Sequence, residues 1–171
     1  MVRYVTRYIS HRSRPLTDGE KAIRQVAYDL KIPTPAAITF AAPLMAELLE
    51  REPCWLIPSP SSSGSTKANM AICHAIKRLN PGARIIIGIR RTHHVESSCI
   101  LRRQGLLGLT VKQHGFQRCC GPLHRMPVWF VDNVVTTGNT IKAAHLAFGT
   151  GNGIVYADAS SYSLIRDPMT A

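Results

Sequence analysis

Hydrophobic and polar positions along the chain follow two periods. From Val2 to Ile9 apolar and basic residues alternate, the pattern of a half-buried strand. Thr17-Asp18-Gly19-Glu20 has the form of a capping box. It predicts a helix with Ala22, Ile23, Val26, Ala27 and Leu30 on one face, closed by Pro33 and Pro35. Pro43 suits a first helical turn, so a weaker second helix is predicted over Leu44 to Glu50. Beyond it the rhythm becomes strand, loop, helix. Cys54 to Ile57 reads as a short buried strand, Pro58 to Ser65 as a loop, and Thr66 to Leu79 as an amphipathic helix. Arg84 to Ile89 reads as a second strand and Val128 to Val131 as a third. A Thr/Gly loop and a helix through Phe148 follow, and Ile154 to Ala157 is the fourth strand. Strands alternating with helices predict βαβ units and a parallel α/β sheet.

Residues 90–127 break that rhythm. The stretch holds Arg90, Arg91, Arg102, Arg103, Lys112, Arg118 and Arg125 against the single acid Glu96. Short strands are expected near Leu106 to Val111. The stretch is either a solvated basic excursion or a lid. Because it follows a strand's carboxyl end, where open α/β sheets bind ligands, the lid is the favoured reading.

Composition narrows the picture. The chain has 171 residues, 45% apolar and 18% charged, as expected of one folded domain. No apolar run is long enough for a membrane span, and the Arg-rich first twenty residues lack the apolar core of a secretory signal. No membrane association is expected. Five cysteines, Cys54, Cys73, Cys99, Cys119 and Cys120, are an odd number without framework spacing. They read as free thiols in a reducing cytoplasm. His93-His94 with Cys99, and Cys119-Cys120 with His124, lack the spacing of a zinc site. The net charge of +11 points to a polyanionic partner: nucleic acid, acidic lipid or a multiply phosphorylated small molecule.

The stretch from Val128 to Thr140 carries the chemistry. Four apolar residues make a buried strand, and Asp132 and Asn133 follow where it leaves the sheet. Val135, Thr136, Thr137, Gly138, Asn139 and Thr140 then lead into a helix. Successive backbone N–H groups at such a turn form an anion nest, reinforced by the helix dipole. The threonine hydroxyls add donors, and Gly138 allows close backbone approach. An anion site beside Asp132 and Asn133, which suit a vicinal diol, describes a ribose 5-phosphate. Upstream, Ser61, Ser62, Ser63 and Gly64 form a second candidate anion loop before a helix, without Walker A spacing.

The Val128–Thr140 stretch resembles the phosphoribosyl diphosphate (PRPP) loop of the type I phosphoribosyltransferases. One position departs: Asn133 stands where the family has a second acid. With Ile57-Pro58-Ser59-Pro60 and the basic stretch from Arg90, the layout is most similar to the competence-associated branch of that family. The resemblance implies a Rossmann-like parallel core over residues 54–171 with a small N-terminal hood over 1–53. It implies that Asp132 and Asn133 hold the ribose diol and Val135 to Thr140 the 5-phosphate. Ser61, Ser62, Ser63, Gly64, Arg90 and Arg91 would hold pyrophosphate.

The implied substrate is PRPP with Mg²⁺ as cofactor. The metal would be carried by PRPP, with Asp132 its one candidate protein ligand. The implied reaction belongs to nucleotide metabolism: transfer of ribose 5-phosphate to a nitrogenous acceptor such as a nucleobase, releasing pyrophosphate. No general base is evident in the loop; Asp158, at the end of the fourth strand, is the one candidate nearby. A second reading stands beside the enzyme: a non-catalytic PRPP- or nucleotide-binding regulator, with nucleic acid as a candidate partner. A homodimer is compatible with both.

Overall fold

A computed structural model describes residues 1–9, 14–97, 100–101, 104–106 and 108–160. Cys99, Arg102, Arg103 and residues 161–171 lie outside the described residues. The elements in chain order are β1 (Val2–Arg7), α1 (Asp18–Asp29), α2 (Pro35–Glu47), β2 (Trp55–Pro58), α3 (Lys67–Leu79), β3 (Arg84–Ile85), β4 (Ile89–Arg91), β5 (Phe116–Arg118), β6 (Val128–Val135), α4 (Asn139–Phe148) and β7 (Asn152–Asp158). Five strands form one sheet in the order β1-β7-β6-β2-β3, every pair parallel. The chain is therefore an α/β protein with a parallel sheet, compatible with a Rossmann-like core. No helix among the described residues is long and apolar enough to cross a membrane.

Alternation along the central strands sorts two cores. Leu56, Trp129, Val131, Ile154 and Tyr156 pack with Ala27, Leu30, Met45, Ile72 and Ile76 from α1, α2 and α3 on one face. Ile57, Val128 and Phe130 pack with Ile141, Ala144 and Phe148 of α4 on the other. The α1 capping box forms as its sequence requires: Thr17 Oγ1 accepts from the Glu20 N–H at 3.3 Å, and Glu20 accepts from the Thr17 N–H at 2.9 Å. Residues 1–53 supply an edge strand of the same sheet and two helices over one face.

Three expectations need correction. The second helix runs Pro35–Glu47, not Leu44 to Glu50, with Pro43 inside it. Thr34 caps it through the Ala37 N–H at 3.3 Å. The Pro43 ring lies on the exposed side, while Ala37, Ala41, Ala42, Met45 and Ala46 are buried against the sheet. Burial of that face outweighs the one hydrogen bond the proline removes. The predicted strand Arg84 to Ile89 is split. A Cβ on Gly88 would meet Ile57 at 2.7 Å and Phe148 at 2.9 Å, so the backbone presses into the second core and turns away. It leaves the sheet for a two-stranded antiparallel ribbon, β4 with β5. The described residues of 106–111 form no strand; the nearby regular element is a 3₁₀ turn, Lys112–His114.

Pro43→Ala restores an N–H to an exposed helix interior. It should stabilise the fold by about 1–3 kcal/mol, read as a melting temperature raised by several degrees. A lowered melting temperature would contradict this account of α2.

Candidate functional site

The topology opens a crevice at one place. From β2 the chain goes outward through α3 to β3; from β6 it goes the other way through α4 to β7. Helices α3 and α4 lie on opposite faces, so the segments leaving β2 and β6 part at their carboxyl ends. There a small cleft is lined by Asp132, Val135, Thr136, Thr137, Gly138, Thr140 and His114. It thus brings together most of the loop singled out from sequence.

β6 extends to Val135, four residues beyond its expected end, because β7 continues to pair with it through Val135 and Asp158. Its β2 partner stops at Pro58, opposite Val131, so Asp132 loses a neighbour on that side. Asp132 is half-buried there. One of its oxygens accepts from the Asn133 N–H at 2.9 Å and from Asn69 Nδ2 at 3.2 Å. Burial pushes its carboxyl up to about 6; those two donors and the charges of Lys31 and Arg91 pull the other way. Asn133 is turned elsewhere: its Nδ2 donates to the Ala27 carbonyl of α1 at 3.3 Å. The two residues read as a diol pair do not share the cleft.

The loop after β6 has the geometry of an anion site. Gly138 precedes α4 in the left-handed region, φ 75°, and as N-cap residue brings no side chain to the helix. The first N–H groups of α4 have no intrahelical acceptor. Thr136, Thr137 and Thr140 stand around them, and Thr137 Oγ1 accepts from the Asn139 N–H at 3.3 Å. Asn139 itself points away, donating from Nδ2 to the Leu109 carbonyl at 2.9 Å.

The serine loop after β2 is a compact turn. Ser61 N–H donates to Ser65 O at 2.9 Å, Gly64 N–H to Ser61 O at 3.0 Å, and the Ser61 and Ser63 hydroxyls are 3.0 Å apart. Its carbonyls hold the basic excursion: Ser62 O accepts from the Val95 N–H at 3.2 Å, and Ser61 O from Arg91 Nε at 2.5 Å. Arg91 also lies over the Phe116 ring, 4.6 Å from its centre. Arg90 points along the ribbon to Gln117 Oε1 at 3.1 Å. Only Arg91 of that pair therefore faces the serine loop. None of these serines lines the cleft at α4. Just before them, the Ser59 hydroxyl is 1% exposed and without a hydrogen-bond partner. A buried polar atom left this way costs about 1–3 kcal/mol.

Asp158 is engaged locally: its Oδ1 accepts from the Ser160 N–H at 2.7 Å. His114, by contrast, was not legible in the sequence as a site residue. It comes from the basic excursion, is 3% exposed, and lines the cleft opposite the threonine loop. Its one sequence signal is a histidine beside Gly115 in an unpatterned stretch, which says nothing about what it packs against. Among the described residues no group of three His, Cys, Asp or Glu side chains can hold a metal ion. In comparisons with known proteins, no family model matches the chain and no curated protein sequence is significantly similar to it.

Asp132 gives the site a stability signature. Its folded carboxyl, at about 6 against an ordinary 3.8, binds a proton more tightly than in the unfolded chain. Stability therefore falls as pH rises from about 4 to 6, and the deficit persists above that window. Asp132→Asn should raise stability at pH 7 by up to about 3 kcal/mol and flatten that slope. Denaturant melts at pH 4.5 and 7 measure it; no gain at pH 7 would show that Asp132 is not held against its own solvation.

Proposed function

We propose that the chain binds Mg²⁺-chelated PRPP in this cleft and acts as a type I phosphoribosyltransferase on a nitrogenous acceptor. One juxtaposition carries the reading: the desolvated Asp132 carboxylate shares a cleft with the threonine-lined start of α4. A carboxylate accepts from two adjacent hydroxyls, and a helix N-terminus takes a phosphate dianion. Ribose 5-phosphate presents both a vicinal diol and a phosphate. The family's fold and branch remain part of this proposal, as does a cytoplasmic setting. The latter is supported by the free thiols of Cys54, Cys73, Cys119 and Cys120.

The reaction forms a C1–N bond and breaks the C1–O bond to pyrophosphate, and the nucleophile gives up its proton. The transition state is oxocarbenium-like, so positioning and charge complementarity do most of the work. The α4 loop anchors the phosphate, Asp132 orients the ribose, and Arg91 stands beside the serine loop as the candidate cation for pyrophosphate. Among the described residues, Asp132 is the one carboxylate lining the cleft. That fits Mg²⁺, which keeps several waters and binds mainly through phosphates; when bound it neutralises charge on the leaving pyrophosphate. The excursion, tied to Ser61, Ser62 and Asn139, limits water access.

A different observation favours a nucleic-acid reading. At the opposite edge of the sheet an open cleft is lined by Arg84, His124 and Arg125 beside Glu52, and Arg84 lies 5.8 Å from the centre of the Trp55 ring. Cations with an aromatic face suit a single strand.

Calorimetry with PRPP, with and without Mg²⁺, separates the PRPP site from the nucleic-acid reading. Saturable binding should appear with Mg²⁺, weaken at least about thirtyfold in Asp132→Ala, and weaken about three- to tenfold in Thr137→Val. No PRPP binding, together with oligonucleotide affinity that falls steeply between about 50 and 200 mM salt, would overturn the enzyme in favour of the second reading.

A further inference from the structure

We propose that His114 donates a hydrogen bond from the basic excursion to a phosphate oxygen in the cleft, through Nε2–H of a neutral imidazole. The inference rests on the sugar-phosphate reading of the cleft and assigns that site a residue outside the α4 loop.

Four observations carry it. His114 ends the 3₁₀ turn Lys112–His114 and lines the same cleft as Thr137, Gly138 and Asp132. It is buried at 3% exposure, so its ring is a built part of the wall. Arg91 grips it at two points: Nη1 donates to the His114 carbonyl at 2.5 Å, and Nη2 lies 3.4 Å from Nδ1. A guanidinium offers only donors, so Nδ1 must accept and the ring proton sits on Nε2. Phe116 then flanks the ring, centroids 5.4 Å apart.

The electrostatics agree. Burial, and after it the charge of Arg91, push His114 down to about 4, so the imidazole is neutral at physiological pH. A neutral donor beside Arg91 can meet a phosphate oxygen without adding a second buried cation. The excursion is fixed at the same place from the other side, where Asn139 at the start of α4 holds the Leu109 carbonyl at 2.9 Å. The side chain that reaches the ligand and the tether that positions its segment therefore both converge on the α4 N-terminus.

The test is long-range ¹H–¹⁵N NMR of the full-length protein, titrated with ribose 5-phosphate. The spectra should show His114 with the proton on Nε2, and that nitrogen should shift on saturation together with the amides of Thr137 to Thr140. His114→Phe fills the space without a donor and should weaken binding about tenfold. His114→Gln keeps an N–H donor and should stay within about threefold of wild type. Perturbed loop amides with an unmoved His114 ring, or a proton found on Nδ1, would overturn the assignment and leave the sugar-phosphate site intact. An unperturbed loop would overturn both. Because the wild-type spectra decide this alone, the test survives a variant that does not fold.

Discussion

One side-chain amide holds the two halves of the cleft together. Asn69, 8% exposed in the first turn of α3, donates from Nδ2 to the Ser59 carbonyl at 2.8 Å and to the Asp132 carboxylate at 3.2 Å. Ser59 follows β2 and Asp132 lies in β6, the two strands from which the chain departs in opposite directions. Parallel pairing brings those strands side by side, but their backbone ladder ends at Pro58 and Val131, with one further bond from the Ser59 N–H to Val131 O. Beyond it, the Asn69 amide is what keeps the carboxylate aimed between the diverging segments. A buried amide in that position is specific in a way that apolar packing is not.

Below this point the molecule is built for stability. Leu56, Ile57, Phe130, Val131 and Ile154 are fully buried on the two faces of the sheet. At the carboxyl edge the rules relax together: a desolvated carboxylate, an unpartnered serine hydroxyl, a helix with a glycine at its N-cap, and a buried histidine. Each is a local cost with no structural return in sight. Their clustering at the switch point is what supports the ligand-site proposal. The basic excursion fits the same logic. It is clamped by backbone carbonyls of the serine loop and by Asn139, which makes it a wall of the site.

Elements set by local chemistry were legible in the sequence. The capping box at Thr17 announced α1, and the Val128–Thr140 pattern located β6, the threonine loop after it and α4. What escaped was set by contacts distant in sequence. Pro43 was read as a boundary because a proline opposes a helix locally, and only the sheet beneath Ala41 and Met45 shows why the helix continues. Gly88 looked like an interior strand residue until Ile57 and Phe148 closed on it. Asn133 was read beside Asp132 from adjacency, whereas strand alternation and the nearness of Ala27 send its amide to α1. His114 carries no pattern at all; its place follows from the ribbon and from Arg91.

The central claim is that one ligand joins the α4 N-terminus to Asp132. Hydrogen–deuterium exchange of the full-length protein with ribose 5-phosphate, against ribose alone, tests it most directly. The account predicts that ribose 5-phosphate slows exchange in 132–141 and in the cleft wall at 109–115, and that ribose without its phosphate leaves the α4 loop unprotected. Unchanged exchange across 132–141, or protection confined to the opposite edge at 84 and 124–127, would contradict it.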